Sequence, residues 1–136
     1  MANSVIEVSC AIIESAGRVL VAQRGAGMAH PLKWEFPGGK WEAGESAEGA
    51  LIREITEELG LNITIVEALE PSFHTYDQQK AIRLWPFRCN LLGGQLQLLE
   101  HAQANWFEWH ELAGLDWAAA DIPIVKQYIR QRHEGF

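Results

Sequence analysis

The amino-acid sequence predicts an α/β fold in which a mixed β-sheet is covered by helices on both faces. β-branched and apolar runs stand on both sides of a glutamate-rich helical pattern at residues 46–60, and a second helical pattern begins near Asp121. Strands on both sides of a central helix, with another helix after them, indicate a sheet with a helix layer on each face. The length of 136 residues suits a single domain over residues 1–136, because such a chain buries about two-thirds of its unfolded surface.

Two strands are predicted before the first helix. Residues 5–13 (VIEVSCAII) are nearly continuous in apolar and β-branched residues, which is typical of a central strand. Ala16 and Gly17 indicate a turn, after which residues 19–22 return as a second strand. Residues 24–31 (RGAGMAHP) then form a glycine-containing loop.

Four β-rich runs after the first helix are expected to be strands: residues 63–68, 72–76, 82–91 and 106–109. Pro71 separates the first two runs, and Pro86 lies inside the third. Because proline cannot donate a backbone hydrogen bond, Pro86 is expected to place its strand at a sheet edge or at a bulge. Gly93 and Gly94 are expected to turn the chain before the last strand.

Both helical patterns have an apolar side that is expected to pack on the sheet. In the first helix, Ser46 is the expected N-cap and Gly60 the expected C-terminal stop. The apolar positions of this helix are Leu51, Ile52, Ile55 and Leu59. Those of the second helix are Ile124, Val125, Tyr128 and Ile129.

Composition and charge exclude several classes of function. No apolar run approaches the ~20 residues of a membrane span, and the N-terminus lacks a signal-peptide pattern, so no membrane partner is expected. The net charge of −7 argues against a nucleic-acid polymer as a partner. Cys10 and Cys89 lie in apolar runs and are interpreted as core thiols, which favours a reducing cytoplasm.

Three glutamates gather on another side of the first helix. Glu54, Glu57 and Glu58 stand at i, i+3 and i+4, so their carboxylates share one face and repel one another. Carboxylate oxygens are ligands that Mg²⁺ and Mn²⁺ prefer, and a cation would relieve the repulsion. The alternative is a solvated acidic face. The upstream pair Gly38-Gly39 lets the backbone approach a ligand closely and favours the metal site.

A longer pattern contains these glutamates. Gly39, five residues, Glu45, seven residues and then REITEELGL from Arg53 to Leu61 match every fixed position of the Nudix box. The sequence therefore resembles the Nudix hydrolases, which implies the Nudix fold, an α/β/α sandwich, and cleavage of a nucleoside diphosphate linked to a further group. The metal ligands implied by the resemblance are Glu54, Glu57, Glu58 and the Gly38 carbonyl. Arg53 would orient a glutamate through a charge-assisted hydrogen bond.

Flanking segments narrow the resemblance to one branch. Residues 19–24 (VLVAQR) and 35–40 (EFPGGK) are similar to the MutT branch, which converts nucleoside triphosphates to monophosphates and pyrophosphate. Residues 120–125 (ADIPIV) are similar to the bacterial CTP pyrophosphohydrolases within that branch. The resemblance implies that Arg24 contacts the base of the substrate. The alternative for Arg24 is an exposed arginine that closes a strand.

Asp121 bears on which base is preferred. The resemblance aligns it with an asparagine that reads the modified guanine in MutT enzymes. An ionised carboxylate only accepts hydrogen bonds, so Asp121 should favour a base edge that presents N–H donors, such as the cytosine amino group. The structural alternative is that Asp121 caps the last helix, and the two roles are compatible.

Three further residues are candidates for the site. Glu100 stands six residues before Trp106, the spacing of a loop glutamate that the resemblance makes a metal ligand or the catalytic base; the alternative is an exposed loop residue. Lys80 falls where MutT enzymes have an arginine near the phosphates. Trp34 is a candidate either to stack on the base or to anchor the sheet. The five histidines show no metal-ligand spacing and are treated as incidental.

The resulting expectation is an enzyme that depends on Mg²⁺, with Mn²⁺ as an alternative, and acts on a small-molecule nucleotide. Water would attack CTP, dCTP or an oxidised deoxynucleoside triphosphate directly, with Glu54 and Glu100 as competing candidates for the base. The alternatives are a Nudix hydrolase of ADP-ribose or a dinucleoside polyphosphate, and a non-catalytic nucleotide-binding module. The preferred base and sugar, the number of ions, and the choice between a monomer and a homodimer stay open.

Overall fold

The computed structural model describes residues 4–76 and 80–135, so both ends of the domain predicted over residues 1–136 lie outside the described residues. In the described part, eight strands form one mixed sheet. They are β1 (Ser4–Ser15), β2 (Arg18–Gln23), β3 (Trp34–Glu35), β4 (Gly38–Lys40), β5 (Leu61–Ala68), β6 (Ser72–Thr75), β7 (Lys80–Gly94) and β8 (Gln103–Glu108). The helices are α1 (Ala47–Leu59) and α2 (Ile122–His133), with 3₁₀ segments at Trp109–Gly114 and Ala119–Asp121. Neither described helix has the length and hydrophobicity needed to span a bilayer.

Strand β1 lies at the centre of the sheet. Along one edge it runs parallel to β7, from the pair Ser4–Lys80 to the pair Glu14–Asn90. Along its other edge it pairs antiparallel with β4 and then with β2. The sheet continues antiparallel from β2 to β3 and β8, and from β7 to β5 and β6. Parallel and antiparallel pairs together make the sheet mixed, as predicted.

Alternate residues of the inner strands face two separate cores, one on each side of the sheet. Cys10 of β1 packs in one cluster with Tyr128 of α2. The next residue, Ala11, packs in the other cluster with Ile55 of α1, and Cys89 lies in that same cluster. Both cysteines are buried and free, as predicted for core thiols. The sheet is therefore covered by one helix on each face, and the predicted α/β/α sandwich is confirmed.

Helix α1 begins and ends where the sequence predicts. The Ser46 Oγ accepts a hydrogen bond from the Gly49 N–H at 3.0 Å, which satisfies one of the free donors of the first turn. Gly60 has a φ of 70°, in the left-handed region that favours glycine, and its N–H donates to the Thr56 carbonyl.

The inward side of α1 differs from the prediction at one position. The buried residues of the helix are Ala50, Leu51, Ile55 and Leu59. Ile52 is 43% exposed, so its predicted place on the packed face is wrong. At about 100° per residue, the buried positions form an arc, and Ile52 stands just beyond one end of it. Glu54 and Glu58 fall inside the same arc, which turns their carboxylates toward the sheet.

Strand β7 also differs from the prediction. It is an interior strand, between β1 on one side and β5 and β6 on the other, so the edge position expected from Pro86 is wrong. The pairing of β5 with β7 does have irregularities in its register, one of them opposite Arg88 and Cys89. The Pro86 carbonyl accepts a hydrogen bond from the Leu69 N–H at 2.9 Å. The N–H and C=O of a strand residue point to the same side of the strand. The side of Pro86 on which an N–H is missing is therefore the side of the break between β5 and β6, where the missing hydrogen bond interrupts no strand pair. Gly93 and Gly94 do not form a turn but complete β7, and Gly94 ends the strand with a φ of 101°.

We expect Ile55→Ala to lower the free energy of unfolding by about 2–5 kcal/mol, because it removes a buried side chain and leaves a cavity. Ile52→Ala on the same helix is the matched control and should cost less than about 1 kcal/mol, since Ile52 is half exposed and alanine is the better helix former. Urea denaturation measures both values. Equal destabilisation by the two substitutions would contradict the inward arc of α1.

Candidate active site

A cavity of about 390 Å³ lies between α1 and the beginning of α2, with walls from β1, β4 and β7 and from the loops around them. Six residues singled out from the sequence line it: Arg24, Gly38, Glu54, Glu58, Glu100 and Asp121. Four others are not in its lining: Trp34, Arg53, Glu57 and Lys80. The lining contains two polar groups, which we call the acidic end (Glu54, Glu58 and Glu100) and the buried polar end (Arg24, Glu35 and Asp121).

The glycine pair before α1 allows the chain to pass close to other parts of the site. A Cβ at Gly38 would overlap the Ser9 carbonyl of β1, and a Cβ at Gly39 would overlap the carboxyl group of Glu54. Only glycine leaves room for these contacts. The pair therefore brings the backbone of β4 against the Glu54 side chain.

Arg53 connects the β4–α1 loop to the glutamates of α1. Its guanidinium donates to both carboxylate oxygens of Glu45, at 2.7 and 2.8 Å. The same group donates to Glu54 at 2.9 Å, to Glu57 at 3.1 Å and to the Lys40 carbonyl at 3.1 Å. The sequence-based expectation that Arg53 orients a glutamate matches these contacts, which extend to three glutamates at once.

Glu45 is the glutamate that Arg53 holds most closely. The hydrogen bonds from Arg53, followed by the N–H of Glu42, lower the pKa of Glu45 to about 2. The pKa of Arg53 is raised by its hydrogen bonds to Glu45 and Glu54. Both groups therefore stay charged at neutral pH, and the pair keeps the loop closed on the helix.

The acidic end is a group of like charges that a cation would stabilise. Burial raises the pKa of Glu58, and the neighbouring charges of Glu100 and Glu54 raise it further. No three carboxylate, imidazole or thiolate side chains in residues 4–76 and 80–135 already converge on one point as a formed metal site. Hard oxygen donors under mutual repulsion nevertheless suit a divalent cation such as Mg²⁺. Glu57 is 59% exposed and turned to Arg53 at the rim of this end.

Asp121 is buried at the other end, with 5% of its surface exposed. Its Oδ2 accepts the Phe36 N–H at 2.9 Å across the fold, and its side chain makes no capping bond to α2, so the predicted cap is wrong. Burial raises the pKa of Asp121 well above its ordinary value, and the charge of Glu35 adds to the effect. The protonated form therefore persists to a higher pH than in an exposed aspartate, and such a carboxyl both donates and accepts hydrogen bonds. The expectation that an ionised Asp121 only accepts hydrogen bonds stays a prediction.

Arg24 lies in the wall of the cavity, and the alternative of an exposed arginine is wrong, since 21% of its side chain is exposed. Its Nη1 donates to Oε1 of Glu35 at 2.7 Å, and its Nε donates to the Ala29 carbonyl at 2.6 Å. These bonds fix the guanidinium beside Asp121. The buried polar end therefore contains a cation, a carboxylate and a carboxyl group in contact with the same space.

Two residues of the site were missed in the sequence. Glu35 joins Arg24 to His101, whose Nε2 lies 2.8 Å from Oε2 of Glu35. His101 was set aside as incidental because no second histidine stands at a metal-ligand spacing, yet its side chain is only 8% exposed and lines the cavity. The feature of the sequence that could have indicated His101 as a site residue is its position directly after Glu100.

Trp34 and Lys80 lie away from the cavity. The Trp34 ring is half-buried and meets Phe107 edge to face at 5.4 Å, which is the sheet-anchoring alternative, so the base-stacking role has no support. Lys80 begins β7 as an exposed residue, and its carbonyl accepts the Tyr76 N–H at 3.1 Å. A role for Lys80 near the phosphates has no support in this arrangement.

The similarity of this chain to known proteins covers the strands and helices that form the cavity. A model of the NUDIX domain matches residues 4–128. The chain is 38% identical over 127 residues to the CTP pyrophosphohydrolase of Escherichia coli strain K12, covering 93% of each chain. It is 30% identical over 137 residues to the 8-oxo-dGTP diphosphatase of Haemophilus influenzae, covering 98% of each. The solution structure of the E. coli ORF135 protein aligns with a TM-score of 0.84 at 35% identity, covering 98% of this chain and 94% of that one.

We expect Gly39→Ala to fold but to bind Mn²⁺ at least about tenfold more weakly, because the new Cβ displaces the Glu54 carboxylate. Gly93→Ala is the control, since a Cβ there meets nothing within 4 Å. Titration of each variant with Mn²⁺, followed by electron paramagnetic resonance, gives the affinities. An unchanged Mn²⁺ affinity in a folded Gly39→Ala protein would remove Glu54 from the metal site.

Proposed function

The chain belongs to the NUDIX domain family, and we propose that it hydrolyses cytidine or oxidised deoxynucleoside triphosphates to the monophosphate and pyrophosphate. The observation that carries this proposal is one cavity with an acidic end suited to a polyphosphate with its cation and a buried polar end suited to a base. The relatives that are similar over nearly their full length are named for these two activities.

The acidic end supplies the residues that would hold a divalent cation, with Mg²⁺ preferred and Mn²⁺ as an alternative. They are Glu54, Glu58, Glu100, the Gly38 carbonyl and, at the rim, Glu57. Nudix hydrolases generally use divalent metals. The chemistry that such ions supply is neutralisation of the polyphosphate charge and acidification of water. The chain itself contributes orientation, because Arg53 holds Glu54 and Glu57 in place.

A carboxylate of the acidic end would accept the proton of the attacking water. Glu54 is committed to Arg53 through Oε1 and lies against Gly39, which suits a fixed ligand better than a mobile base. Glu100 is exposed in the loop before β8 and lines the cavity, where water reaches it. We therefore favour Glu100 as the base, with Glu54 as the competing candidate. Water attacks the β-phosphorus, and the bond from this phosphorus to the oxygen that bridges it to the α-phosphate breaks. The nucleoside monophosphate leaves with that oxygen, and the attacked β- and γ-phosphates are released as pyrophosphate.

The buried polar end would read the base. Arg24 supplies N–H donors and Asp121 supplies one carboxyl oxygen, since its other oxygen is used by the Phe36 N–H. A buried carboxyl with a raised pKa accepts from the cytosine amino group when it is ionised and also donates when it is protonated. Base choice is thus coupled to the protonation of Asp121.

The two buried free thiols support a reducing, cytoplasmic location.

The function is tested by incubating the protein and Mg²⁺ with CTP, UTP, dCTP, 8-oxo-dGTP and ADP-ribose and measuring orthophosphate, pyrophosphate and the nucleoside monophosphate separately. We expect equimolar pyrophosphate and monophosphate from the triphosphates. Glu58→Gln should lower kcat at least about 100-fold, because an amide is a poorer ligand for a hard cation. Glu48→Gln, at an exposed position in the first turn of the same helix, should leave kcat within about twofold.

Three results would contradict this function. Release of orthophosphate instead of pyrophosphate would place the cleavage at another bond. Hydrolysis of ADP-ribose in preference to every triphosphate would establish the alternative substrate class. Nucleotide binding without any hydrolysis would make the domain a binding module.

We expect the ratio of kcat/KM for CTP to that for UTP to rise with pH. Protonated Asp121 can donate to the uracil carbonyl, whereas ionised Asp121 only accepts and therefore favours the cytosine amino group. The change should be about tenfold, the scale of one lost hydrogen bond. Asp121→Asn should make the ratio independent of pH over the same range, since its amide does not titrate. A parent ratio that stays flat from about pH 5 to 9 would remove Asp121 from base recognition.

The pH dependence of thermal stability provides the control for Asp121→Asn. Because the folded-state pKa of Asp121 is raised above its ordinary value of 3.8, its contribution to stability is fully present below that value. The contribution is lost as the pH rises through the folded-state pKa. Asp121→Asn keeps an acceptor for the Phe36 N–H without this loss, so its Tm relative to the parent should increase with pH.

A further inference from the structure

His101 has one ring nitrogen that finds no partner in the part of the chain that the structure describes. The side chain is more than nine-tenths buried, and its Nε2 is 2.8 Å from Oε2 of Glu35. Its Nδ1 is also buried and has no hydrogen-bond partner among residues 4–76 and 80–135. Buried polar atoms are almost always paired, and His101 lines the cavity. A bound molecule is the partner that this arrangement lacks.

Glu35 determines which ring nitrogen carries the proton. Its Oε1 accepts the Arg24 Nη1–H at 2.7 Å, and its Oε2 faces the Nε2 of His101. A carboxylate paired with a guanidinium only accepts, so the Nε2 of His101 must donate. In the neutral imidazole, Nδ1 is then an acceptor. In a ring whose single proton is held on Nε2 by Glu35, the unpaired Nδ1 requires a ligand that donates an N–H or O–H.

The need for a donor identifies the part of the ligand that can bind there. Phosphate oxygens of a polyphosphate are acceptors and cannot satisfy the His101 Nδ1. A nucleoside carries donors of the required kind, in the hydroxyl groups of its sugar and in the amino group of its base. His101 is bonded to Glu35 of the buried polar end and follows Glu100 of the acidic end in the chain. It thus stands where a nucleoside would lie if its phosphates occupied the acidic end.

We propose that the Nδ1 of His101 accepts a hydrogen bond from the nucleoside of the bound substrate, and that Glu35 is the positioning residue that makes Nδ1 an acceptor. The proposal rests on the proposed function, because it requires a nucleotide in the cavity. It adds a recognition element beyond Arg24 and Asp121. Its two sources of donor, sugar hydroxyl and base amino group, are separated by the choice of nucleotide.

The direct test is the ¹⁵N spectrum of the histidine rings in the full-length protein, with His101 assigned by comparison with His101→Phe. Without ligand, His101 should show the Nε2–H tautomer with an unprotonated Nδ1. Addition of CMP should shift the Nδ1 resonance toward that of a hydrogen-bonded nitrogen. A shift with CMP but not dCMP assigns the 2′-hydroxyl, a shift with CMP but not UMP assigns the amino group, and a shift with all three assigns a donor they share.

Three spectroscopic results would overturn the proposal. The first is an Nδ1 resonance that none of the three nucleotides moves although their binding is seen at other residues. The second is an equal shift with Mg²⁺ alone, which would show that the atom belongs to the metal side of the site. An imidazolium ring in the CMP complex, with both nitrogens protonated, would likewise exclude an acceptor at Nδ1.

Kinetics give an independent measurement with a matched control. His101→Phe keeps a planar aromatic ring but removes both ring nitrogens and with them the acceptor, so kcat/KM for CTP should fall about tenfold, mainly through KM. His110 also lies next to a glutamate, with its Nε2 2.6 Å from Oε2 of Glu108, but its side chain is 60% exposed. His110→Phe should therefore leave KM within about twofold. An unchanged KM in a His101→Phe protein that melts like the parent would overturn the proposal.

The Glu35→Gln variant tests whether Glu35 positions the His101 ring, separately from whether His101 contacts the substrate. An amide has one acceptor oxygen in place of the two that Arg24 and His101 now use, so the ring can reverse its tautomer and present an Nδ1–H. We expect the ¹⁵N spectrum to report this reversal and KM to rise as in His101→Phe. An unchanged tautomer would remove the positioning role of Glu35. Failure of the parent to release pyrophosphate from any triphosphate would instead disprove the proposed function.

Discussion

The arrangement of the site depends on the guanidinium of Arg53. An arginine has five N–H donors in a fixed plane, and here the five hydrogen bonds go to Glu45, Glu54, Glu57 and the Lys40 carbonyl. Two of these partners belong to the loop before α1 and two belong to the helix. The planar group therefore sets the distance between loop and helix, which a lysine could not do with a single flexible ammonium. The shape of the acidic end follows from that distance.

The two ends of the cavity handle negative charge in different ways. At the buried polar end, Glu35 is paired with Arg24, and burial raises the pKa of Asp121. At the acidic end, Glu58 is repelled by Glu100 and Glu54, and their charges are only partly compensated within the chain. This difference gives the cavity a direction, because a cation with its polyphosphate is attracted to one end and a base with hydrogen-bonding edges fits the other.

Local patterns in the sequence were sufficient for much of the fold. The apolar run of β1, the cap at Ser46 and the stop at Gly60 all follow from interactions within a few residues, and the structure confirms them. The interior position of the strand that contains Pro86 could not be predicted from the sequence. Pro86 fits there because the neighbouring edge changes from β5 to β6 beside it, and this break is not visible in the local sequence. Asp121 and His101 were misjudged for the same reason: their partners, Phe36 and Glu35, lie far away in the chain. Strands as short as β3 and β4 carry no periodic signal.

The orientation of α1 about its axis explains how its glutamates both line the cavity and pair with Arg53. Glu54 and Glu58 fall within the buried arc of the helix and line the cavity, whereas Glu57 lies at the edge of the arc, exposed and paired with Arg53. Arg53 also holds Glu54, so it pairs with a carboxylate that lines the cavity as well as with the one at its rim. A cation that enters the acidic end must compete with Arg53 for Oε1 of Glu54 and Oε2 of Glu57. The same guanidinium that keeps the repelling glutamates together therefore also limits how tightly a metal can be held.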